Sequence, residues 1–360
     1  MKRLTDYLKS SELKNGIAQV QDKIAANANL KALSVDLIRM LYDENNQQGF
    51  LDTINENQKS ISDILGIDIA DCFIPAVFDM HFDRLIKMYA KRNIPEEILA
   101  ATMDDFNIWA ECFFIQNGRP GINEFGWLVS HMSCELFKLG RLQFMPNSKF
   151  GDNFTVYKGR TKGDIVVIPK ASLDIDKDGF ITTQAPAFTT INQEADTHIE
   201  ANTVDATGCI LLQSTRISKA EYELALSKGD PVLDIHIPAC GKMDIEECKH
   251  SLSTALAFAK THFPEHKHKA FTLDCWLLSE EIKEILSPDT NIIKFSNMFT
   301  RIGDYRGTHP LIYKWAFGYD KDPVDYDKHE AHTSLQKGTH KLIRENRWFI
   351  ARSGIILIND

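Results

Sequence analysis

Between residues 1 and about 140 the apolar residues recur at spacings of three and four, and beyond that point the recurrence gives way to short β-like runs. This change of period constrains the fold more than any other feature, because one regular architecture cannot bury both patterns. Leu30, Leu33, Leu37 and Leu41 form one stripe, and Phe78, Phe82, Leu85 and Tyr89 form another. A third, Leu99, Met103, Phe106, Ala110 and Phe113, follows Pro95-Glu96-Glu97, where proline in the first turn and acids near the positive helix end favour a start. A fourth stripe, Leu128, Met132, Glu135, Leu136 and Leu139, runs to Gly140, which reads as its C-cap. The first part is therefore expected to be all-helical, over residues 1–140, and the second, residues 141–360, to be a separate domain of mixed α/β or α+β class.

The second part offers β-like runs at 141–145, 165–168, 208–212 and 232–237. Residues 182–207 are polar and show no clear period. Ser218-x-x-Glu221 reads as a capping box opening a short helix that closes near Gly229. Asp244-x-x-Glu247 reads the same way and opens a longer helix along Ile245, Cys248, Leu252, Leu256, Ala259 and Phe263, stopped by Pro264. Residues 270–278 then read as a strand, Ser279 as the cap of a helix ending before Pro288, and 292–299 and 355–358 as strands. An irregular aromatic stretch around Tyr313, Trp315 and Tyr319 separates the last two. Strand, helix, strand, helix is the order of a partly parallel sheet flanked by helices.

At 360 residues the chain exceeds what one core serves, and 43% hydrophobic with 25% charged residues is an ordinary globular balance. The net charge of −9, with 41 scattered Lys and Arg, leaves no basic stripe to neutralise a phosphate backbone, so nucleic acid is not expected as a partner. No uninterrupted apolar run reaches the ~18 residues of a membrane span, and Lys2 and Arg3 precede no apolar export core. Seven cysteines form no C-x-x-C pair, which excludes the usual zinc and disulfide frameworks and fits a cytoplasmic protein.

In Val232-Leu233-Asp234-Ile235-His236-Ile237, alternation puts Asp234 and His236 on one face, roughly 6.5 to 7 Å apart along the strand. A polar face on a central strand means either a solvent-filled cleft or a hydrogen-bonded core pair, and an imidazole near neutral pH is the usual general base. Ala239, Cys240, Gly241 and Lys242 follow as a tight loop before a helix, where backbone N–H groups receive anions, although Asp244, Glu246 and Glu247 compete for the same helix end. Cys275, beside Trp276, is either a nucleophile or inert core. Asp174-x-Asp176-x-Asp178-Gly179 matches the front of a calcium loop but has Ala185 at the twelfth position, so a polar hairpin turn is the better reading. His262, His266 and His268 are interrupted by Pro264, which breaks any metal-binding helical face, and no metal is expected. Arg301, Asp304, Tyr305 and Arg306 crowd a Gly-containing turn, lining a cleft or pairing on the surface.

Phe125-Gly126-Trp127-Leu128, Leu139-Gly140-Arg141-Leu142-Gln143-Phe144, His236-Ile237-Pro238 and Cys275-Trp276-Leu277-Leu278 resemble the landmarks of a bacterial family. Its members pair a helical N-acyltransferase N-terminal domain with a GNAT-like C-terminal domain. The resemblance implies a mixed sheet in which acyl-CoA or acetyl-CoA enters a V-shaped opening between two central strands, residues 232–237 being the fourth. It implies His236 as the base with Asp234 beside it and Cys275 lining the site. Ala239, Cys240, Gly241 and Lys242 stand where the pyrophosphate loop would be, without the usual Gln or Arg followed by x-x-Gly-x-Gly or Ala. Trp276, Arg141 and Glu135 complete the set as candidate substrate contacts. The implied activity is transfer of an acyl group to the amine of a small molecule or peptide; the alternative is a catalytically silent ligand-binding protein of the same fold.

Overall fold

The computed structural model describes residues 2–308, 311–318 and 323–358. Two compact units emerge: Met1–Phe144 with Pro238–Gly241 and Thr261–Phe263, and Met145–Ile237 with Lys242–Lys260 and Pro264–Asp360.

The first unit is built on α1 (Ser11–Ala26), α2 (Ala28–Ile38), α3 (Gln47–Leu65), α4 (Ile67–Ala70), α5 (Phe73–Met80), α6 (Phe82–Lys91), α7 (Glu96–Asn117) and α8 (Phe125–Met132). Local chemistry sets the ends. Ser10 Oγ accepts from Leu13 N at 3.1 Å at the start of α1, and Asn27 Oδ1 accepts from Leu30 N at 3.1 Å at the start of α2. α7 begins after Pro95 and ends at Gly118, whose φ of 68° is the left-handed conformation glycine tolerates. The stripe Leu99, Met103, Phe106, Ala110 and Phe113 is buried, as its spacing predicts. Phe50 stacks on Phe78 at 5.8 Å, and Phe106 meets Phe78 edge-on at 6.3 Å. Each such fully buried ring stabilises by about 1.5–3 kcal/mol relative to exposure.

The fourth stripe does not run to Gly140 as one helix. α8 stops at Met132, Cys134 takes a positive φ of 60°, and β1 (Phe137–Leu139) and β2 (Leu142–Met145) form an antiparallel hairpin. Leu136 and Leu139 are buried all the same, so burial imitates a helical spacing without a helix. Gly140, with φ of 74°, makes the hairpin turn rather than a C-cap.

In the second unit, β11 (Val232–His236), β12 (Ala270–Cys275), β14 (Ile350–Leu357) and β13 (Thr300–Thr308) run side by side in that order. β11 and β12 are parallel, and the other two neighbouring pairs are antiparallel. β10 (Tyr222–Leu226), β3 (Phe154–Gly159) and β4 (Ile165–Pro169) form a second sheet. β7 (Asn192–Glu194), β8 (His198–Val204) and β9 (Ile210–Ser218) form a third, and β5 (Asp174–Ile175) pairs with β6 (Phe188–Thr189). Val156, Val167, Ile175, Ile210, Leu226, Val232, Ala270, Ile302 and Ile355 share one core cluster. α9 (Ile245–His262) links β11 to β12; α10 (Glu280–Ile285), α11 (Asn291–Ser296), α12 (Leu311–Phe317) and α13 (Ser334–Arg344) follow β12.

Four sequence expectations change here. Ser218 and Glu221 close a turn, Glu221 N donating to Ser218 O at 3.2 Å, and β10 follows instead of a helix. The run 292–299 is mostly helix α11, capped by Thr290. The stretch around Tyr313 and Trp315 is helical, whereas Tyr319 lies outside the described residues. Residues 182–207 contain β6, β7 and all of β8, polar because much of that sheet surface meets solvent. Asp176 Oδ1 accepts from the backbone of Asp178 and Phe180, which makes the Asp-rich segment a tight turn.

Candidate functional site

Within the second unit, β11 and β12 pair over Val232↔Ala270, Leu233↔Phe271 and Asp234↔Thr272, and the ladder ends there. β11 continues to His236 and β12 to Cys275, so the two parallel strands part into a fork at their C-terminal ends. β12 stays paired on its other side as far as Cys275↔Arg352, which fixes that arm of the fork.

Along β11 Val232, Leu233 and Ile235 are buried, while Asp234 and His236 are half-buried. Their side chains keep 29% and 31% exposure, so the polar face opens to solvent rather than being walled into the core. His236 Nε2 is itself buried and stands 3.2 Å from Asp234 Oδ2, an ion-pair distance outside hydrogen-bond geometry. The other carboxylate oxygen, Oδ1, accepts a 2.7 Å hydrogen bond from Thr272 Oγ1. Thr272 escaped notice in the sequence because its link to Asp234 crosses strands; the only local signal was alternation, which sets Thr272 and Asp274 on one face of β12.

Cys275 sits at the end of β12, where its Sγ accepts from Leu277 N at 3.4 Å and caps the short turn 276–278. Burial pushes its thiol up to about 12, so at neutral pH it is a neutral thiol rather than a nucleophilic thiolate. Trp276 is only 9% exposed and packs with Leu277, Ile282 and Phe349, the Phe349 ring lying 5.1 Å away. At the start of α9, Asp244 Oδ1 accepts from Glu246 N at 2.9 Å and Glu247 N at 3.1 Å. The first-turn donors there are thus occupied by the protein's own carboxylate.

Arg301 is buried and hydrogen-bonds through its guanidinium to the carbonyls of Leu278, Ser296 and Phe299 and to Ser296 Oγ, fastening α11 to β13. It also borders a cleft of about 460 Å³ with Ile165, Val204, Asp205 and Thr300. The side chains of Asp304, Tyr305 and Arg306 lie outside the described residues. His266 and His268 meet Asn147 Oδ1 and Pro146 O, and no cluster of metal-ligating side chains exists among the described residues.

In the first unit, Arg141 donates to Pro238 O at 3.2 Å and Gly241 O at 3.4 Å, clamping the loop that holds Ala239 and Cys240. Glu135 accepts from Gln47 Nε2 at 2.6 Å. A second polar constellation, not anticipated from the sequence, lies on α7 and α8: Asp105 Oδ2 accepts from Trp127 Nε1 at 2.8 Å and lies 3.0 Å from His131 Nε2. Asp105 and His131 are both buried. Burial pushes the Asp105 carboxyl up, but the hydrogen bonds from His131 and Trp127 and the imidazole charge outweigh it and hold the group below its ordinary range.

A family profile described as a GNAT-like C-terminal domain matches residues 136–356, and one described as an N-acyltransferase N-terminal domain matches residues 3–134. No curated protein matches the sequence. Among solved structures, an acyltransferase in complex with decanoyl-CoA and teicoplanin is similar over 99% of this chain and 93% of its own, at 17% identity and a TM-score of 0.58. An acyltransferase bound to CoA and 10C-teicoplanin covers 98% of this chain and 89% of its own, at 17% identity and a TM-score of 0.56. Another, with decanoyl-CoA, covers 81% and 67%, at 20% identity and a TM-score of 0.54. At these identities the likeness establishes the fold.

Proposed function

We propose a reaction from one premise: the chain belongs to the family of proteins with a GNAT-like C-terminal domain. On that premise the protein transfers an acyl group from acyl-CoA to the amine of a small-molecule or peptide acceptor. The observation that carries this reading is the fork between β11 and β12, with the half-exposed Asp234 and His236 on the arm that leaves the ladder. A strand that has lost its neighbour offers backbone donors and acceptors to an extended ligand arm, which is what the pantetheine of acyl-CoA requires.

In this mechanism the amine nitrogen attacks the thioester carbonyl carbon directly. A C–N bond forms, the C–S bond breaks, and CoA leaves as a thiolate that takes up a proton. His236 accepts the proton lost by the amine, and Asp234 stabilises the imidazolium. The neutral Cys275 forms no acyl-enzyme. Ala239, Cys240, Gly241 and Lys242 are assigned to the cofactor's phosphates through loop amides and the lysine charge, since Asp244 already fills the helix start. The acceptor class follows the solved acyltransferase that holds teicoplanin.

Asp244 favours one rival, a protein of this fold that binds a ligand without catalysis, because its carboxylate weakens the anion site. Calorimetric titration with acetyl-CoA and decanoyl-CoA, paired with CoA-release assays against an amine panel, decides between them. Saturable binding with amine-dependent CoA release supports transfer; binding without release supports the rival. Absence of both heat and thermal shift at about 1 mM acyl-CoA removes the cofactor from the account.

A further inference from the structure

β12 is paired with β11 only as far as Thr272, and beyond it the pairing with β14 alone continues, Asp274 standing opposite Ser353. On this arm of the fork Leu273 is 2% exposed, whereas its neighbour Asp274 is exposed. Strands of a parallel pair are normally buried on both faces, so an exposed carboxylate here marks the side of the sheet that stays open. Alternation puts Asp274 on the face of Thr272, and the 2.7 Å hydrogen bond from Thr272 to Asp234 shows that Asp234 shares that face. Two residues past the last register pair stand His236 on one arm and Asp274 on the other, both on this open face. Neither run, 232–237 or 270–275, contains a Lys or Arg, so the strands bring two carboxylates and no ammonium or guanidinium to the fork.

We infer that Asp274 is a specificity residue for the acceptor: its carboxylate selects acceptors that arrive as ammonium cations and holds them over the open face of the fork. The inference rests on the acyl-transfer reading of this site. Aliphatic amines are cations at neutral pH, as the ordinary lysine value of about 10.4 illustrates. A carboxylate attracts such a cation at contact distance and has no comparable attraction for a neutral molecule of the same shape. Asp274 acts on the acceptor's charge and takes no part in breaking the thioester.

Benzylamine and benzyl alcohol have nearly the same shape and differ in charge at neutral pH, so together they probe the charge alone. In ligand-observed NMR titrations of the full chain, the wild type should bind benzylamine about tenfold more tightly than benzyl alcohol. Raising sodium chloride should shrink that preference, because an exposed ion pair is screened. Asp274→Asn keeps the size of the side chain and should bring the two ligands to within about twofold of each other, while Asp274→Glu should keep the preference. With benzylamine as acceptor, Asp274→Asn should raise its KM about tenfold and leave KM for acyl-CoA unchanged. Equal binding of the two ligands by the wild type overturns the assignment, whether or not acyl transfer occurs. So does a preference that survives in Asp274→Asn, or a loss in that variant that is equal for both ligands. If the preference depends on Asp274 but the wild type releases no CoA with any amine, the cation site stands and the acyl-transfer reading is the one that fails.

Discussion

His236 Nε2 lies 3.2 Å from Asp234 Oδ2 on a strand that has just left its ladder with β12, and the two side chains remain 31% and 29% exposed. A carboxylate and an imidazole so placed are accessible to a ligand yet oriented by the sheet. A half-open polar pair at a fork is the arrangement that the proposed proton transfer requires.

Cys275 should stay unmodified by iodoacetamide at pH 7 under conditions that label exposed cysteines, because its thiol is pushed up to about 12 by burial. Cys275→Ser should keep most of the turnover. Stoichiometric labelling of Cys275 at neutral pH, read by peptide mass spectrometry, would restore a thiol-based mechanism.

Asp105→Asn should destabilise the first unit by about 3–5 kcal/mol at pH 7, since it leaves His131 and Trp127 buried against an uncharged partner. The sign with pH follows from the lowered Asp105 carboxyl: its contribution is complete above the unfolded value of about 3.9 and is lost as pH falls through the lower folded value. Urea denaturation at a series of pH values should therefore show the gap between wild type and variant closing below about pH 4.

Gly338→Ala should lower the stability of the second unit by about 1–3 kcal/mol. A methyl group there would meet Ile285 Cβ at 2.5 Å and Cδ1 at 2.7 Å, and because Cβ is fixed to the backbone, α10 and α13 must move apart. Helix propensity alone favours alanine, so a stabilised variant in differential scanning calorimetry would show that the two helices do not pack as described.

Legibility from sequence followed the length and purity of each pattern. Residues 99–113 repeat an apolar stripe over several turns, and 232–236 alternate cleanly with polar residues, so α7 and β11 were readable. Ser218 and Glu221 deceived because a four-residue turn has the same spacing as a capping box. Residues 292–299 deceived because a short apolar run fits either period, and the Thr290 hydroxyl cap decides for helix. The helical stripe through Leu136 and Leu139 failed at Cys134, whose positive φ no periodicity announces. In the site, Asp234 and His236 were visible because they share one strand, whereas Thr272 is 38 positions from Asp234 and meets it only through sheet register. Asp105 and His131 likewise come together across two helices.

In the proposed reaction His236 takes the proton from the attacking amine. CoA release by His236→Ala, at saturating acyl-CoA and with the best acceptor of the amine panel, tests it most directly. The expected result is a kcat lowered by about 10²- to 10⁴-fold with acyl-CoA affinity retained. A variant that binds acyl-CoA and turns over within about threefold of wild type would contradict it.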